Sequence, residues 1–191
     1  MAGKLTVVVG PMYSGKTSTL LSMVEIYTLG RKNVKVFKPL IDNRYSTDHV
    51  VSHTGQKVPA VNVKNSAEVM MAVEAESGRL DAVFVDEVNF FDPELLEVVQ
   101  QIIFDGIDVF CVGLDMSYKH RPFAITASLM AIADEVVKKK AVCHVCGEYN
   151  ATVTHRTSNH IDSEIDVGGM DKYIAVCRDC YKKLNSKKQN L

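Results

Sequence analysis

An eight-residue loop near the N-terminus constrains this chain more than any other feature. The sequence from Gly10 to Thr17, GPMYSGKT, fits the pattern G-x-x-x-x-G-K-[ST] without a mismatch. An apolar, β-branched run over residues 4–9 predicts a buried strand before it, and residues 15–29 predict a helix after it. In that context backbone N–H groups surround phosphates, Lys16 reaches the β- and γ-phosphates, and the Thr17 hydroxyl ligates Mg²⁺. The alternative is a glycine loop that matches by chance, which the flanking strand and helix disfavour, so the loop predicts a nucleoside triphosphate site.

Apolar strands alternate with helices beyond this phosphate loop. Strands are predicted over residues 33–38, 58–63, 82–85, 107–112 and 136–142, and helices over 66–77 and 125–135. A further helix begins with Asp92 as N-cap and Pro93 at its first position, and it ends at Gly106. This alternation predicts an α/β fold with a parallel sheet covered by helices on both faces, and such sheets bind ligands beyond the carboxyl ends of their strands. Three segments fall at those ends: residues 10–17, 86–89 and 113–118.

An acidic pair follows the third apolar strand. Asp86 and Glu87 come directly after residues 82–85, as in the acidic end of a Walker B strand. Asp86 is predicted to help hold Mg²⁺, and Glu87 is placed to accept a proton from the attacking nucleophile. The alternative is two solvated acids at a strand end. The pair does not distinguish a water nucleophile from a substrate hydroxyl.

Four of the five cysteines form two C-x-x-C pairs: Cys143 with Cys146, and Cys177 with Cys180. Four thiolates give a closed tetrahedral Zn²⁺ site, which predicts a structural metal. A redox dithiol and an Fe–S cluster are the alternatives, and His144 is a competing ligand. Cys111 is predicted to be a buried core thiol. The sequence changes character near residue 141, which predicts a nucleotide-binding α/β domain over 1–141 and a zinc-binding domain over 142–191.

Composition restricts the partners of the chain. Its 191 residues are 47% hydrophobic, and 22 basic against 23 acidic residues give a net charge of −1, so no global positive field favours nucleic acid. No apolar run approaches the roughly 18 residues of a membrane span, and the N-terminus lacks the features of a signal peptide. We expect a soluble, cytoplasmic protein without a nucleic-acid or membrane partner.

Five segments, in order along the chain, resemble the type II (cellular-type) thymidine kinases. The phosphate loop looks like the family's own version, Asp42-Asn-Arg-Tyr45 looks like its D-x-R-Y segment, and Asp86-Glu-Val-Asn-Phe-Phe91 is similar to its D-E-x-Q-F-F. Gly113-Leu-Asp115 with Pro122-Phe123 is similar to the lid segment, and residues 167–173, VGGMDKY, look like the substrate-gripping loop. The resemblance covers essentially the whole chain. It implies a P-loop, RecA-like sheet with a small C-terminal zinc-binding lasso domain.

The resemblance also implies the reaction, transfer of the γ-phosphate of ATP to the 5′-hydroxyl of thymidine to give dTMP and ADP. It implies Glu87 as the catalytic base, with Lys16 and Arg44 at the transferred phosphate. The implied ATP-binding residues are Gly10, Pro11, Met12, Tyr13, Ser14, Gly15, Lys16, Thr17, Asp86, Glu87, Val88 and Asn89. The implied Mg²⁺ ligands are Thr17, Asp42 and Asp86. The implied nucleoside-binding residues are Met12, Phe90, Leu114, Phe123, Glu164, Ile165, Asp166, Val167, Gly168 and Tyr173. The resemblance also implies a homotetramer.

One position departs from the family pattern, and two other readings of the chain stay open. Asn89 stands where the family usually has Gln, and its side chain is one methylene shorter, so we expect a polar contact there to pass through water. Core packing is the alternative role for Phe90 and Phe123. An ATP-driven nucleic-acid-binding protein with a zinc ribbon and a basic tail is the alternative function, disfavoured by the near-zero charge. A nucleotide-dependent regulatory protein would require Glu87 to be inactive.

Overall fold

The computed structural model describes residues 1–41, 48–52, 55–157 and 172–188, with the backbone alone at 187–188. The strands in this part of the chain are β1 (Leu5–Val9), β2 (Val34–Pro39), β3 (His49–Val51), β4 (Lys57–Pro59), β5 (Val61–Val63), β6 (Ala82–Val85), β7 (Asp108–Gly113), β8 (Glu135–Lys138), β9 (Val153–Arg156) and β10 (Tyr173–Val176). The α-helices are α1 (Lys16–Leu29), α2 (Ser66–Glu74), α3 (Leu95–Phe104), α4 (Ala124–Ile132) and α5 (Arg178–Lys188). A 3₁₀ turn, Val88–Phe90, follows β6.

Six strands form one sheet in the order β5-β2-β6-β7-β1-β8, and all five pairings are parallel. Strand β7 lies between β1, which leads into the phosphate loop, and β6, which leads into the acidic pair. At the carboxyl end of β1, Val9 lies beside Gly113 of β7 on one side and Lys138 of β8 on the other. The predicted α/β fold with a RecA-like parallel sheet is confirmed, and it brings the carboxyl ends of β6, β7, β1 and β8 to one edge.

Helices cover both faces of this sheet because alternate strand residues point to opposite sides. On one face α1 packs Leu20 and Val24 against Val8, Phe84 and Phe110. On the other face α2, α3 and α4 pack Val69, Val99 and Leu129 against the remaining strand residues. Cys111 lies in this second core with no exposed surface, and burial raises the pKa of its thiol to about 12. The prediction of a core thiol at Cys111 is confirmed.

Three predicted element boundaries were wrong, because each depends on a tertiary contact that the local sequence pattern does not show. The predicted strand over 58–63 is divided at Ala60, because β4 pairs antiparallel with β3 while β5 pairs parallel with β2. The predicted strand over 136–142 ends at Lys138, since Ala141 forms a bridge with Ala151 instead. Asp92 does not cap α3. Its carboxylate accepts hydrogen bonds from the backbone N–H of Ser66, at 2.8 Å, and from the Ser66 hydroxyl.

The C-terminal part of the chain forms a separate small core. Strands β9 and β10 pair antiparallel, with Val153 opposite Val176, and α5 follows β10. Ala151, Val153 and Ala175 pack together with Cys143, Cys177 and Cys180, and the ring of Tyr13 from the phosphate loop packs against this group. Within the described ranges, no helix combines the length and the apolar character that crossing a membrane requires.

Candidate functional site

The phosphate loop adopts a closed conformation that its glycines permit. Gly10 has a φ of 150°, and a Cβ there would lie 2.6 Å from the carbonyl oxygen of Lys139, so no larger residue fits. Gly15 has a φ of 73° at the start of α1. The Ser14 hydroxyl and the Lys16 ammonium each donate a hydrogen bond of 2.8 Å to the carbonyl oxygen of Pro11. The predicted loop is therefore assembled by its own side chains, with Lys16 91% buried inside it.

Backbone strain marks the acidic pair. Glu87 has a φ of 51° and a ψ of 44°, a left-handed conformation that costs a residue other than glycine on the order of 1 kcal/mol or more. The Asp86 carboxylate is buried and accepts a hydrogen bond of 3.0 Å from the backbone N–H of Glu87. This bond helps to stabilise the left-handed conformation of Glu87. The turn directs the chain from β6 into the 3₁₀ turn, and Glu87 stays half-buried at the edge of the sheet.

Asn89 connects the ends of β6 and β7. Its side-chain oxygen accepts a hydrogen bond of 2.8 Å directly from the backbone N–H of Leu114, and the residue is 97% buried. A Cβ on Gly113 would lie 2.7 Å from that oxygen and 2.8 Å from Cγ2 of Val88. The side-chain nitrogen of Asn89 is buried without a hydrogen-bond partner among the described residues. Asn89 therefore fixes the position of Leu114, and only glycine at 113 leaves room for it.

Residues 114–123 form a folded segment between β7 and α4. Met116 and Pro122 form a bridge, and the backbone N–H of Phe123 donates to the carbonyl oxygen of Asp115 at 3.1 Å. The buried Asp115 carboxylate pairs with the Lys138 ammonium at 2.9 Å. Since Asp115 follows β7 and Lys138 ends β8, this ion pair crosses the end of β1 beside the phosphate loop.

Four of the implied nucleoside-binding residues have half-buried side chains: Met12, Phe90, Leu114 and Phe123. Within the described ranges, none of them belongs to the hydrophobic cores, whereas the neighbouring Phe91 does. Core packing, the alternative for Phe90 and Phe123, is therefore disfavoured. Their apolar surfaces are accessible at the edge of the sheet where the phosphate loop and the acidic pair also lie.

The small C-terminal core contacts the phosphate loop directly. The backbone N–H of Met12 donates a hydrogen bond of 3.1 Å to the hydroxyl of Thr154, and the rings of Tyr13 and His144 lie 5.4 Å apart. Strand β9 therefore forms one wall of the site.

The segment 114–123 also contacts strand β9. The guanidinium of Arg156 lies 5.3 Å from the ring centroid of Tyr118, whose ring lies 6.1 Å from that of Tyr173. Arg156 and Tyr173 are both buried. Thr154 and Arg156 could not be identified from the sequence, because the strand VTHR is polar although all four of its residues are buried. Tyr118 belongs to no sequence motif.

The four paired cysteines converge on one point. The sulfur atoms of Cys143, Cys146, Cys177 and Cys180 all lie within 4.8 Å of one another. Burial raises the pKa of Cys143. Hydrogen bonds from its neighbours, led by the one from the backbone N–H of Cys177 at 3.3 Å, outweigh burial and lower that pKa to about 6. Such N–H donors stabilise a thiolate, the form that ligates a metal. The four thiols therefore form a set that could hold one metal ion.

His144 does not belong to this set. Its Nδ1 lies 3.2 Å from the carbonyl oxygen of Ala175, and its ring packs on Tyr13. Several residues implied by the resemblance, Asp42, Arg44 and residues 164–168, lie outside the described residues.

The chain is similar to known proteins in sequence and, more distantly, in fold. The family model described as "Thymidine kinase" matches residues 3–181. A thymidine kinase of Pseudothermotoga lettingae is 58% identical over 187 residues, which cover 98% of this chain and 99% of the relative. Two solved structures are similar at 12% identity. The flagellar accessory protein FlaH of Methanocaldococcus jannaschii has a TM-score of 0.49, with 72% of this chain and 71% of FlaH covered. Domain III of the replication initiation protein DnaA of Thermotoga maritima has a TM-score of 0.43, with 71% and 54% covered. The chain belongs to the thymidine kinase family.

Proposed function

We propose that this protein transfers the γ-phosphate of ATP to the 5′-hydroxyl of thymidine, giving dTMP and ADP. The observation that carries the proposal is the shared sheet edge, where the phosphate loop, the acidic pair and four half-buried apolar side chains lie together. Family membership supports thymidine as the acceptor, since 98% of the chain aligns with a thymidine kinase and residues 3–181 match the family model. The nucleophile, undecided from the acidic pair alone, is therefore a nucleoside hydroxyl.

The phosphoryl transfer assigns a role to each group at this edge. The loop amides and Lys16 bind the β- and γ-phosphates. Glu87 accepts the proton of the 5′-hydroxyl while the 5′-oxygen attacks the γ-phosphorus. A bond forms between that oxygen and phosphorus, and the bond to the β-phosphate oxygen breaks, so ADP leaves. Arg44 is proposed, from the family resemblance, to stabilise the developing charge.

The residues present fit a magnesium ion. Thr17 lies in the first turn of α1 and is half-buried, and Asp86 presents a buried carboxylate at the end of β6. Oxygen ligands of this kind suit Mg²⁺, and a buried carboxylate is normally paired or bound to metal. Asp42 is the third proposed ligand. When bound, the ion would neutralise part of the charge on the phosphates.

The nucleoside would occupy the apolar side of the site. We propose that Phe90 and Phe123 flank the thymine ring, since a planar and nearly neutral base favours aromatic faces. Met12 and Leu114 would complete the pocket. Tyr173 and the residues 164–168 are proposed to contact the nucleoside, as the family resemblance implies.

The cysteine set is proposed to hold a structural zinc. Four thiolates complete a tetrahedral shell and leave no open position for a substrate. We further propose a domain boundary near residue 141, a homotetramer and a cytoplasmic location, in keeping with the family. Light scattering coupled to gel filtration would measure the oligomeric state.

One assay tests the proposed reaction. ADP release should rise well above background with thymidine and stay near background with single-stranded DNA. ADP release that thymidine does not stimulate would contradict the kinase proposal. ADP release stimulated by DNA would favour the nucleic-acid-binding alternative. Other nucleosides, run in parallel, measure selectivity for the base.

A further inference from the structure

Lys139 contacts both ends of the phosphate loop, although no sequence motif includes it. Its backbone N–H donates a hydrogen bond of 2.7 Å to the carbonyl oxygen of Val9, which continues the pairing of β8 with β1. Its carbonyl oxygen fills the space that a side chain at Gly10 would need. Its ammonium donates a hydrogen bond of 2.5 Å to the Thr19 hydroxyl and lies 3.4 Å from the carbonyl oxygen of Gly15. One residue therefore spans the loop from its first glycine to the first turn of α1.

The ammonium of Lys139 lies beside the N-terminus of α1, where a bound anion is expected. The neighbouring Lys138 pairs with Asp115, but among the described residues no carboxylate pairs with the Lys139 ammonium. The first turn of α1 carries no acidic residue, and the helix has no side-chain cap. The N-terminus of a helix is already positive, so a cation beside it is unfavourable until an anion binds.

The strand order fixes which part of the nucleotide lies nearest to Lys139. Strands β7 and β6 lie on one side of β1, and β8 lies on the other. The γ-phosphate must face Glu87, which follows β6. The α-phosphate and the nucleoside part of ATP therefore extend toward β8 and Lys139.

We propose that Lys139 is a nucleotide-binding residue whose ammonium binds the α-phosphate of ATP. This inference rests on the proposed function for the direction of the bound nucleotide. The Thr19 hydroxyl holds the ammonium in place, while Lys16 serves the β- and γ-phosphates on the opposite side of the loop. Lys139 thus recognises the phosphate that ATP, ADP and AMP have in common.

Nucleotide binding to the full-length, zinc-loaded protein tests this proposal without any phosphoryl transfer. Displacement of a fluorescent ATP analogue would give dissociation constants for ATP, ADP, AMP and adenosine. Lys139→Met should weaken ATP, ADP and AMP by a similar factor, about tenfold or more for a lost charge-assisted hydrogen bond, and leave adenosine unchanged. In turnover, the KM for ATP should rise while the KM for thymidine stays the same.

Three further variants separate charge from packing. Lys140→Met is the matched control, because Lys140 carries the same charge one residue along, is exposed and makes no side-chain hydrogen bond or ion pair within the described ranges. It should bind all four ligands within about twofold of the original chain. Lys139→Gln keeps a donor for Thr19 without the charge, and it should lose affinity as Lys139→Met does. Lys139→Arg should restore most of the affinity.

The pattern of losses decides between the possible outcomes. If Lys139→Met weakens ATP and ADP but not AMP, Lys139 only supports the loop, and the α-phosphate assignment is wrong. If Lys139→Gln binds all three nucleotides with normal affinity, the charge of Lys139 does not contribute to binding, and the proposal is likewise wrong. Because binding is measured without thymidine, a failure of the proposed kinase reaction would leave these results interpretable.

Discussion

Gly113 is the position where one added methyl group should disturb the site most directly. A Cβ there lies 2.7 Å from the side-chain oxygen of Asn89 and 2.8 Å from Cγ2 of Val88, whereas ordinary contacts begin at 3.4 Å. In Gly113→Ala these atoms must separate by about 0.6–0.7 Å, and both neighbours are at least 97% buried. Overpacking of this kind costs about 1–3 kcal/mol, and loss of the bond between Asn89 and Leu114 adds about 1 kcal/mol.

The expected result is a less stable and less active enzyme. A loss of about 2–4 kcal/mol lowers the Tm of a chain of this size by roughly 5–15 °C, which differential scanning calorimetry measures. Displacement of Leu114 should also lower kcat/KM for thymidine by about tenfold or more, in a coupled ADP assay. The KM for ATP should change less, because Lys16 and the loop glycines are not displaced.

The control is Gly78→Ala, because a Cβ at the exposed Gly78 would meet no atom nearer than 3.7 Å. This variant should keep the Tm and the activity. The double variant Gly113→Ala/Asn89→Ala should recover only part of the lost Tm, since Val88 still obstructs the methyl group. Equal Tm and equal kcat/KM in Gly113→Ala and Gly78→Ala would refute the packing argument.

Three other predictions address the acidic pair, the cysteines and the partly buried contact between Asp92 and the start of α2. Glu87→Gln should lower kcat by about 10²-fold or more while ATP still binds; near-normal turnover would remove Glu87 as the base. Cys143→Ser should lose zinc and lower the Tm by roughly 10 °C or more, as metal analysis and calorimetry would detect; a zinc-free original chain would contradict the assignment. Burial raises the pKa of Asp92, but its hydrogen bonds, led by the two from Ser66, together outweigh burial and lower that pKa. This carboxylate therefore stabilises the fold above about pH 4 and loses that effect as the pH falls through the lowered pKa. Ser66→Ala should therefore cost about 1–2 kcal/mol in urea unfolding at pH 7 and progressively less as the pH falls through the lowered pKa of Asp92. A loss independent of pH would contradict this assignment.

The sequence alone could predict those elements that follow from a local pattern of residues. The phosphate loop, α1 and β6 each follow from a pattern in their own residues and those beside them: a glycine pattern, a helical period or an apolar run. The break at Ala60 could not be predicted in this way, because it depends on β3 pairing with β4. The role of Asp92 could not be predicted either, since its partner Ser66 lies 26 residues away.

The site was predictable to a similar degree. The resemblance proposed Asn89 for the nucleotide, and the structure adds its bond to the backbone of Leu114. That contact depends on the space left by Gly113 on a neighbouring strand. Arg156 was missed for another reason. Burial of a charged residue in a short polar strand depends on the tertiary fold, and hydrophobic periodicity in the sequence does not predict it.

The contacts of the phosphate loop extend the effect expected of the proposed zinc beyond the small C-terminal core. The loop is held on one side by Lys139 and on the other by the small C-terminal core, through the bond from Met12 to Thr154 and the packing of Tyr13 on His144. Tyr13 adopts a φ of 63°, which costs a residue other than glycine on the order of 1 kcal/mol, so its ring must be held by its surroundings. His144 follows the first cysteine of the set directly. A metal that fixes the cysteines therefore also fixes the surface against which the loop packs, and its effect extends from folding to the geometry of the nucleotide site.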